Sequence, residues 1–278
     1  GGIAQFGRPE EIIGAPADRF VEEFILNQLE IKKTNEPGIH ITANLDFLPT
    51  DENNLIYKAA KLMQDTYRLE QGVDVNLQKH IPVAAGMAGG STDAAAVLYG
   101  MNELFGLKLK RKKLMELGVS IGADVPYCLM RGTALAEGIG EQLKSLPPMP
   151  KCPVLIAKPA VSVSTKFVYE HLKLDENTVH PDINAQLAAL SKGDLKGVAA
   201  HMGNLLETVT IPAYPVIDEI KRCMLENGAI NAMMSGSGPT VFGLFEDEGI
   251  AKKALETMRE TGLAKQVYLT SIYNNRRT

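Results

Sequence analysis

The sequence predicts an α+β protein in two domains, and two observations carry that expectation. Strand-like and helix-like apolar periodicities alternate along the whole chain. A proline-rich break, Leu146-Pro147-Pro148-Met149-Pro150, interrupts the alternation near the middle, because proline can neither continue a helix nor donate to a ladder. The division is therefore placed there, giving domains over 29–146 and 151–278 behind an atypical segment, 1–28. With 278 residues, each domain is large enough to bury its own core.

The elements follow in order. Gly38–Asn44 alternates as a strand does. Asn53–Leu69 places Leu55, Ala59, Leu62 and Met63 at helical spacing, with Asp51 as the expected N-cap. Val73–Ile81 reads as a strand, then a Gly/Ala loop, then a helix over Ala94–Phe105. Arg111–Ile121 reads as a helix and Tyr127–Ala136 as a strand or hairpin. Beyond the break come a strand at Val154–Lys158 and helices near Thr165–Leu172, Ile183–Leu190 and Val216–Asn227. Ala229–Phe245 reads as strand, glycine loop and strand; Gly249–Thr261 as a helix; Gln266–Tyr273 as a strand.

Composition narrows the function. Hydrophobic residues make up 45% and charged residues 22%, the balance of an ordinary globular protein. A net charge of −4 argues against nucleic-acid or membrane-surface binding, which favour a basic excess. The tail Asn274-Asn275-Arg276-Arg277 reads as a solvated basic patch. Cys128, Cys152 and Cys223 are odd in number and lack C-x-x-C spacing, which fits free thiols in a reducing cytoplasm. The five histidines form no H-E-x-x-H pairing. Apolar runs such as Val154–Ala157 fall far short of the roughly 20 residues a membrane span needs.

Three loops carry the chemistry. In Pro82-Val83-Ala84-Ala85-Gly86-Met87-Ala88-Gly89-Gly90-Ser91-Thr92, three glycines allow close backbone approach to a ligand. A helix begins where the loop ends, and its amino end offers unpaired N–H groups to a phosphate. Ser91 or Thr92 is positioned to reach a Mg²⁺ on that phosphate. The loop lacks the lysine of G-x-x-x-x-G-K-[ST] and the spacing of G-x-G-x-x-G. A plain glycine turn capped by Ser91 or Asp93 fits the same residues. The second loop, Ser235-Gly236-Ser237-Gly238, offers hydroxyls and amides to an anion, or else forms a tight hairpin. In Gly122-Ala123-Asp124-Val125-Pro126, Asp124 is suited to accept the proton of an attacking hydroxyl, or else caps a helix.

These loops, in this order, resemble the GHMP kinase family. Gly89-Gly-Ser-Thr-Asp-Ala-Ala95 with Gly122-Ala-Asp-Val-Pro126 is similar to its diphosphocytidyl-methylerythritol kinase branch. So are Leu48-Pro-Thr-Asp-Glu-Asn-Asn-Leu55 and Met233-Met-Ser-Gly-Ser-Gly-Pro-Thr-Val-Phe-Gly243, and the resemblance extends over 29–273. It implies an S5-like N-terminal domain and a ferredoxin-like C-terminal domain. The implied reaction moves the γ-phosphoryl of ATP, with Mg²⁺, to the 2-hydroxyl of a cytidine-diphosphate-linked small molecule, in a monomer or homodimer. The family pattern assigns ATP to 82–92, catalysis to Asp124 and cytosine stacking to Tyr169. Another small-molecule kinase of the family, or a nucleotide-binding protein of impaired catalysis, is the alternative.

The pattern breaks at the start of the chain. Family members open with a K-x-N strand and an R-x-D-G-Y-H motif, and neither is present. Residues Gly1–Ile25, GGIAQFGRPEEIIGAPADRFVEEFI, instead resemble a piece of an ABC-transporter ATPase that carries no nucleotide motif. The lysine that partners the aspartate in the family is thus missing.

Overall fold

The computed structural model describes residues 2–4, 27–83, 85–176 and 178–272. Ala84, Tyr273, the basic tail and most of the ABC-like segment lie outside them.

The N-terminal half is built on a three-stranded sheet. The strands are β2 (Gln28–Thr34), β3 (Ile39–Ala43) and β4 (Gly72–Gln78), after a short β1 (Gly2–Ala4) that belongs elsewhere. β4 is central, antiparallel to β2 and parallel to β3. The parallel pair needs a crossover, which α1 (Leu55–Tyr67) supplies. α1, α2 (Gly89–Leu104), α3 (Arg111–Val119) and α4 (Val125–Met130) complete the half. Ile56, Met63, Val75, Leu77, Leu98, Met101 and Leu114 form its core. A hairpin of β5 (Ala134–Glu137) and β6 (Gln142–Ser145) follows, and β1 pairs antiparallel with β5.

The C-terminal half carries an antiparallel sheet of order β10-β7-β9-β8: β7 (Pro153–Lys158), β8 (Asn231–Met234), β9 (Val241–Leu244) and β10 (Gln266–Ser271). α5 (Thr165–His171), α6 (Ile183–Ser191), α7 (Leu195–Ala200) and α8 (Glu207–Ala213) lie between β7 and α9 (Val216–Glu226) in sequence, and α10 (Glu248–Thr261) precedes β10. α9 and α10 bury Ile217, Ile220, Met224, Ala251, Ala254 and Met258 against Leu155, Met234, Val241 and Phe245. The architecture is α+β.

A third cluster is decisive for the site. Ala85 and Met87, from the first glycine loop, pack with Leu146 and Met149 of the proline-rich stretch and with Val154, Ile156, Leu190, Val198 and Leu244 of the other half. The proline-rich stretch has no helix or strand, but Leu146 and Met149 seal this seam.

Several expectations are corrected. Asn54, not Asp51, caps α1: its side chain accepts from Ile56 N–H at 2.9 Å, while Asp51 accepts from Asn53 N–H at 3.0 Å. The run at Tyr127–Ala136 is helix before it is strand, since Pro126 sits in the first turn of α4, where its missing donor does no harm. α2 starts at Gly89, five residues before the expected Ala94, and takes in both glycines despite their poor helix propensity. Strand β6 and helices α7 and α8 were not anticipated.

Candidate active site

The first glycine loop leaves β4 and enters α2 through Ala88, which adopts left-handed φ 50°, ψ 24° without being glycine. No side chain caps α2, and Thr92 N–H to Ala88 C=O closes its first turn. The amides of Gly89, Gly90 and Ser91 therefore have no intrahelical partner and carry the positive end of a four-turn helix. Neither Ser91 nor Asp93 forms the cap that a plain glycine turn would need. The Ser91 hydroxyl makes no hydrogen bond among the described residues. That of Thr92 turns back along its own helix, donating to Ala88 C=O at 3.0 Å with Cys128 Sγ 3.5 Å away.

Not every loop residue faces outward. Ala85 and Met87 are 2% and 7% exposed, so their side chains are seam packing and only their backbone can meet a ligand. A Cβ on Gly89 would stand 2.9 Å from Ile81 Cγ2 and 3.1 Å from Lys79 Nζ. Gly89 therefore makes room for the protein interior rather than for a phosphate. Pro82 is half-buried and Val83 exposed on the loop's outer side.

The two glycine loops touch. Gly86, at φ 71°, is exposed on the loop, and its carbonyl accepts from Ser235 Oγ at 2.8 Å across 149 residues of sequence. The second loop is held from below. Asn204 Nδ2 donates to Met234 C=O at 2.9 Å and to Gly236 C=O at 2.8 Å. Glu207 accepts from Met234 N–H at 2.7 Å and from Lys221 at 2.5 Å. Thr240, 1% exposed, holds a hydroxyl with no partner among the described residues at the base of this loop. The loop does join β8 to β9, yet it also meets the first loop, so hairpin geometry does not preclude the anion binding expected of it.

Asp124 stands at the start of α4, which packs on α2. It occupies the N-cap position but makes no capping bond, and its carboxylate has no hydrogen bond or ion pair among the described residues. Although the residue retains substantial solvent exposure, burial against the protein raises its pKa above the ordinary carboxylate value. Among the described residues, no cation counters that shift. The Cys128 thiol nearby is pushed up to about 12, by burial first and further by the charges of Asp124 and Asp93. This is an unengaged carboxylate, partly withdrawn from water, at the start of a helix that packs on α2.

Tyr169 lies on α5 and is 61% exposed. α5 is tied to the second loop, because Thr165 and Ser237 share a hydroxyl–hydroxyl bond of 2.8 Å. Among the described residues, no cluster of three or more His, Cys, Asp or Glu side chains could hold a metal by itself, and no helix is long and apolar enough to cross a membrane. Lys79, Asn27, Asn204 and Thr165, all bracing the loops, escaped the sequence reading.

Comparison with known proteins bears on this arrangement. The family model for the GHMP kinases N terminal domain matches residues 54–132, and that for GHMP kinases C terminal matches residues 186–264. The chain is 57% identical over 249 residues to a 4-diphosphocytidyl-2-C-methyl-D-erythritol kinase of Lachnospira eligens, covering 90% of this chain and 86% of that protein. It is 54% identical over 252 residues to the protein of the same name from Lachnoclostridium phytofermentans, covering 91% and 87%. A crystal structure of 4-(cytidine 5'-diphospho)-2C-methyl-D-erythritol kinase superposes with TM-score 0.75 at 30% identity, covering 90% of this chain and 87% of that one. A homoserine kinase from Cytophaga hutchinsonii superposes with TM-score 0.76 at 23% identity, covering 90% and 86%, a likeness of fold.

Proposed function

The chain belongs to the GHMP kinase family, and we propose that it transfers the γ-phosphoryl of ATP to the 2-hydroxyl of 4-diphosphocytidyl-2-C-methyl-D-erythritol. The observation that carries this reading is that α4, which starts at Asp124 with its carboxylate unengaged, packs on α2, whose amino end is uncapped, with Thr92 and Cys128 in contact between them. Phosphoryl transfer asks a protein mainly to position two substrates and to stabilise charge on the moving group. The amides of Gly89, Gly90 and Ser91 receive the phosphate chain, and the second glycine loop approaches it from the other half. The substrate oxygen bonds to the γ-phosphorus, the bond to the ADP oxygen breaks, and the hydroxyl proton passes to Asp124. A carboxylate whose pKa is raised by burial is a better acceptor for that proton than one in open water.

Mg²⁺, when bound with ATP, would neutralise phosphate charge, and Ser91 is the less committed of the two candidate hydroxyls for it. Tyr169, exposed on a helix anchored to the second loop, offers a face for the cytosine ring. The protein acts on a small molecule, and its expected compartment is the cytoplasm. A coupled ADP-release assay tests the reading against homoserine and mevalonate as rival substrates. Turnover confined to the diphosphocytidyl substrate is expected; turnover of a rival alone would refute it.

A further inference from the structure

Lys79 and Asp93 bracket the first glycine loop, fourteen residues apart, and meet beneath it. Lys79 Nζ donates to Asp93 Oδ2 at 2.5 Å, with side chains only 5% and 6% exposed. Asn27 completes the group. Its Nδ2 donates to Asp93 Oδ1 at 2.5 Å, and its Oδ1 accepts from His80 N–H and Ile81 N–H, both at 2.9 Å. Asn44 holds the Lys79 backbone from the far side, accepting from its N–H at 2.7 Å and donating to its C=O at 3.2 Å. The ammonium lies directly under the first residue of α2, where any Cβ on Gly89 would crowd it.

Stability does not account for such a pair. Removing two charges from water is costly, and apolar replacements of similar volume are often neutral or stabilising. The cost is visible at Asp93, whose pKa is raised by burial even though Lys79 and Asn27 pull it down. What the pair does secure is conformation. The described residues of 79–88 contain no helix or strand, and they end at Ala88 in a left-handed conformation that a residue with a Cβ disfavours. A strained residue persists only where its surroundings over-determine it. One end of the loop is pinned through Lys79, His80 and Ile81, the other through Asp93 one turn into the helix.

We infer that Lys79, Asp93 and Asn27 form a buried clasp: positioning residues that hold the first glycine loop in the shape that receives the phosphates of ATP. The inference rests on the kinase reading above. Its test uses the full chain and the double variant Lys79→Met/Asp93→Leu, which removes both charges while keeping volume. Melting temperature, ATP affinity by calorimetry, and KM for each substrate are measured. The double variant is expected to melt no lower than the parent. A loop displaced by a fraction of an ångström to about 1 Å should weaken ATP binding and raise its KM by roughly 10-fold or more. KM for the diphosphocytidyl substrate should stay within about twofold, a split that a general loss of structure would not give. Should the double variant fail to fold, Asn27→Ala carries the test from the half-buried edge, with a smaller rise in the ATP constants alone. Parental ATP affinity in either folded variant overturns the clasp. Failure of the parent itself to bind ATP overturns the kinase reading and the clasp with it.

Discussion

The contact between Gly86 and Ser235 gives the sharpest test of how the two halves make one site. Gly86→Ala adds a single carbon at a residue with φ 71°. Its Cβ would fall well inside 3.0 Å of Ser235 O and 3.2 Å from Gly238 O, and both are backbone atoms that cannot swing aside. The left-handed conformation itself costs an alanine about 1–2 kcal/mol. Losing the 2.8 Å bond from Ser235 Oγ adds about 1 kcal/mol, so a destabilisation of about 2–3 kcal/mol is expected. The larger effect is geometric. The loops must part by roughly 1 Å, and a misplacement of that size can cost on the order of 10²-fold in rate. Gly193→Ala is the control, because Gly193 has φ 67° with nothing within 4 Å of an added Cβ. It carries the conformational cost alone and should leave kcat/KM at the parental value. Steady-state kinetics beside thermal melts read both quantities. If Gly86→Ala keeps kcat/KM within about twofold of the parent, loop contact does not govern catalysis and the two-loop site is wrong.

Three further outcomes are expected. Asp124→Asn should lower kcat by roughly 10²-fold or more. It should melt no lower at neutral pH, because a carboxyl whose folded pKa is raised favours the fold only while protonated and loses that contribution as pH rises through the folded pKa; equal turnover across a pH series would return Asp124 to a structural role. Tyr169→Ala should raise KM for the cytidine substrate by about 5- to 150-fold, matching a stacking contribution of about 1–3 kcal/mol, and spare ATP. Its side chain is exposed, so stability should hold, and equal effects on both substrates would remove it from the cytidine site. A chimera carrying a family-type K-x-N…G-Y-H segment in place of residues 1–26 should raise kcat, since among the described residues no cation offsets the charge of Asp124 beside a transferring phosphate; equal kcat would make the lysine dispensable. The exchange must stop short of Asn27, whose side chain braces the first glycine loop.

How far the sequence revealed this depends on how local each signal is. The glycine loops, the sheet–helix alternation and Asp124 were legible because each rests on a few adjacent residues with a characteristic backbone demand. The start of α2 was misjudged because Gly89-Gly90 are poor helix formers in isolation, whereas tertiary context recruits them: a larger residue at 89 would strike Ile81 and the Lys79 ammonium. Tyr127–Ala136 reads as a strand or hairpin, yet its first four residues are helix, and Asp124 followed by Pro126 is itself the signature of a helix start. α7 and α8 have six and seven residues, too short to show a period, and Pro212 lies inside the second.

The bracing residues were hidden for another reason. Asn27 and Asp93 are 66 positions apart, and Gly86 and Ser235 are 149, so no window of sequence contains both members of either pair. One signal did exist. A lysine and an aspartate flanking a glycine loop, each at a position the apolar pattern buries, must neutralise one another or unfold the site, since unpaired charges are not kept in a core. That argument needs only the alternation of β4 and the period of α2, and it places the clasp beneath the loop before any coordinate is known. The same logic separates the two aspartates of this site. Asp93 is buried and matched, which fits the holding role proposed for it; Asp124 is partly withdrawn from water and unmatched among the described residues, which fits the proton acceptor proposed above.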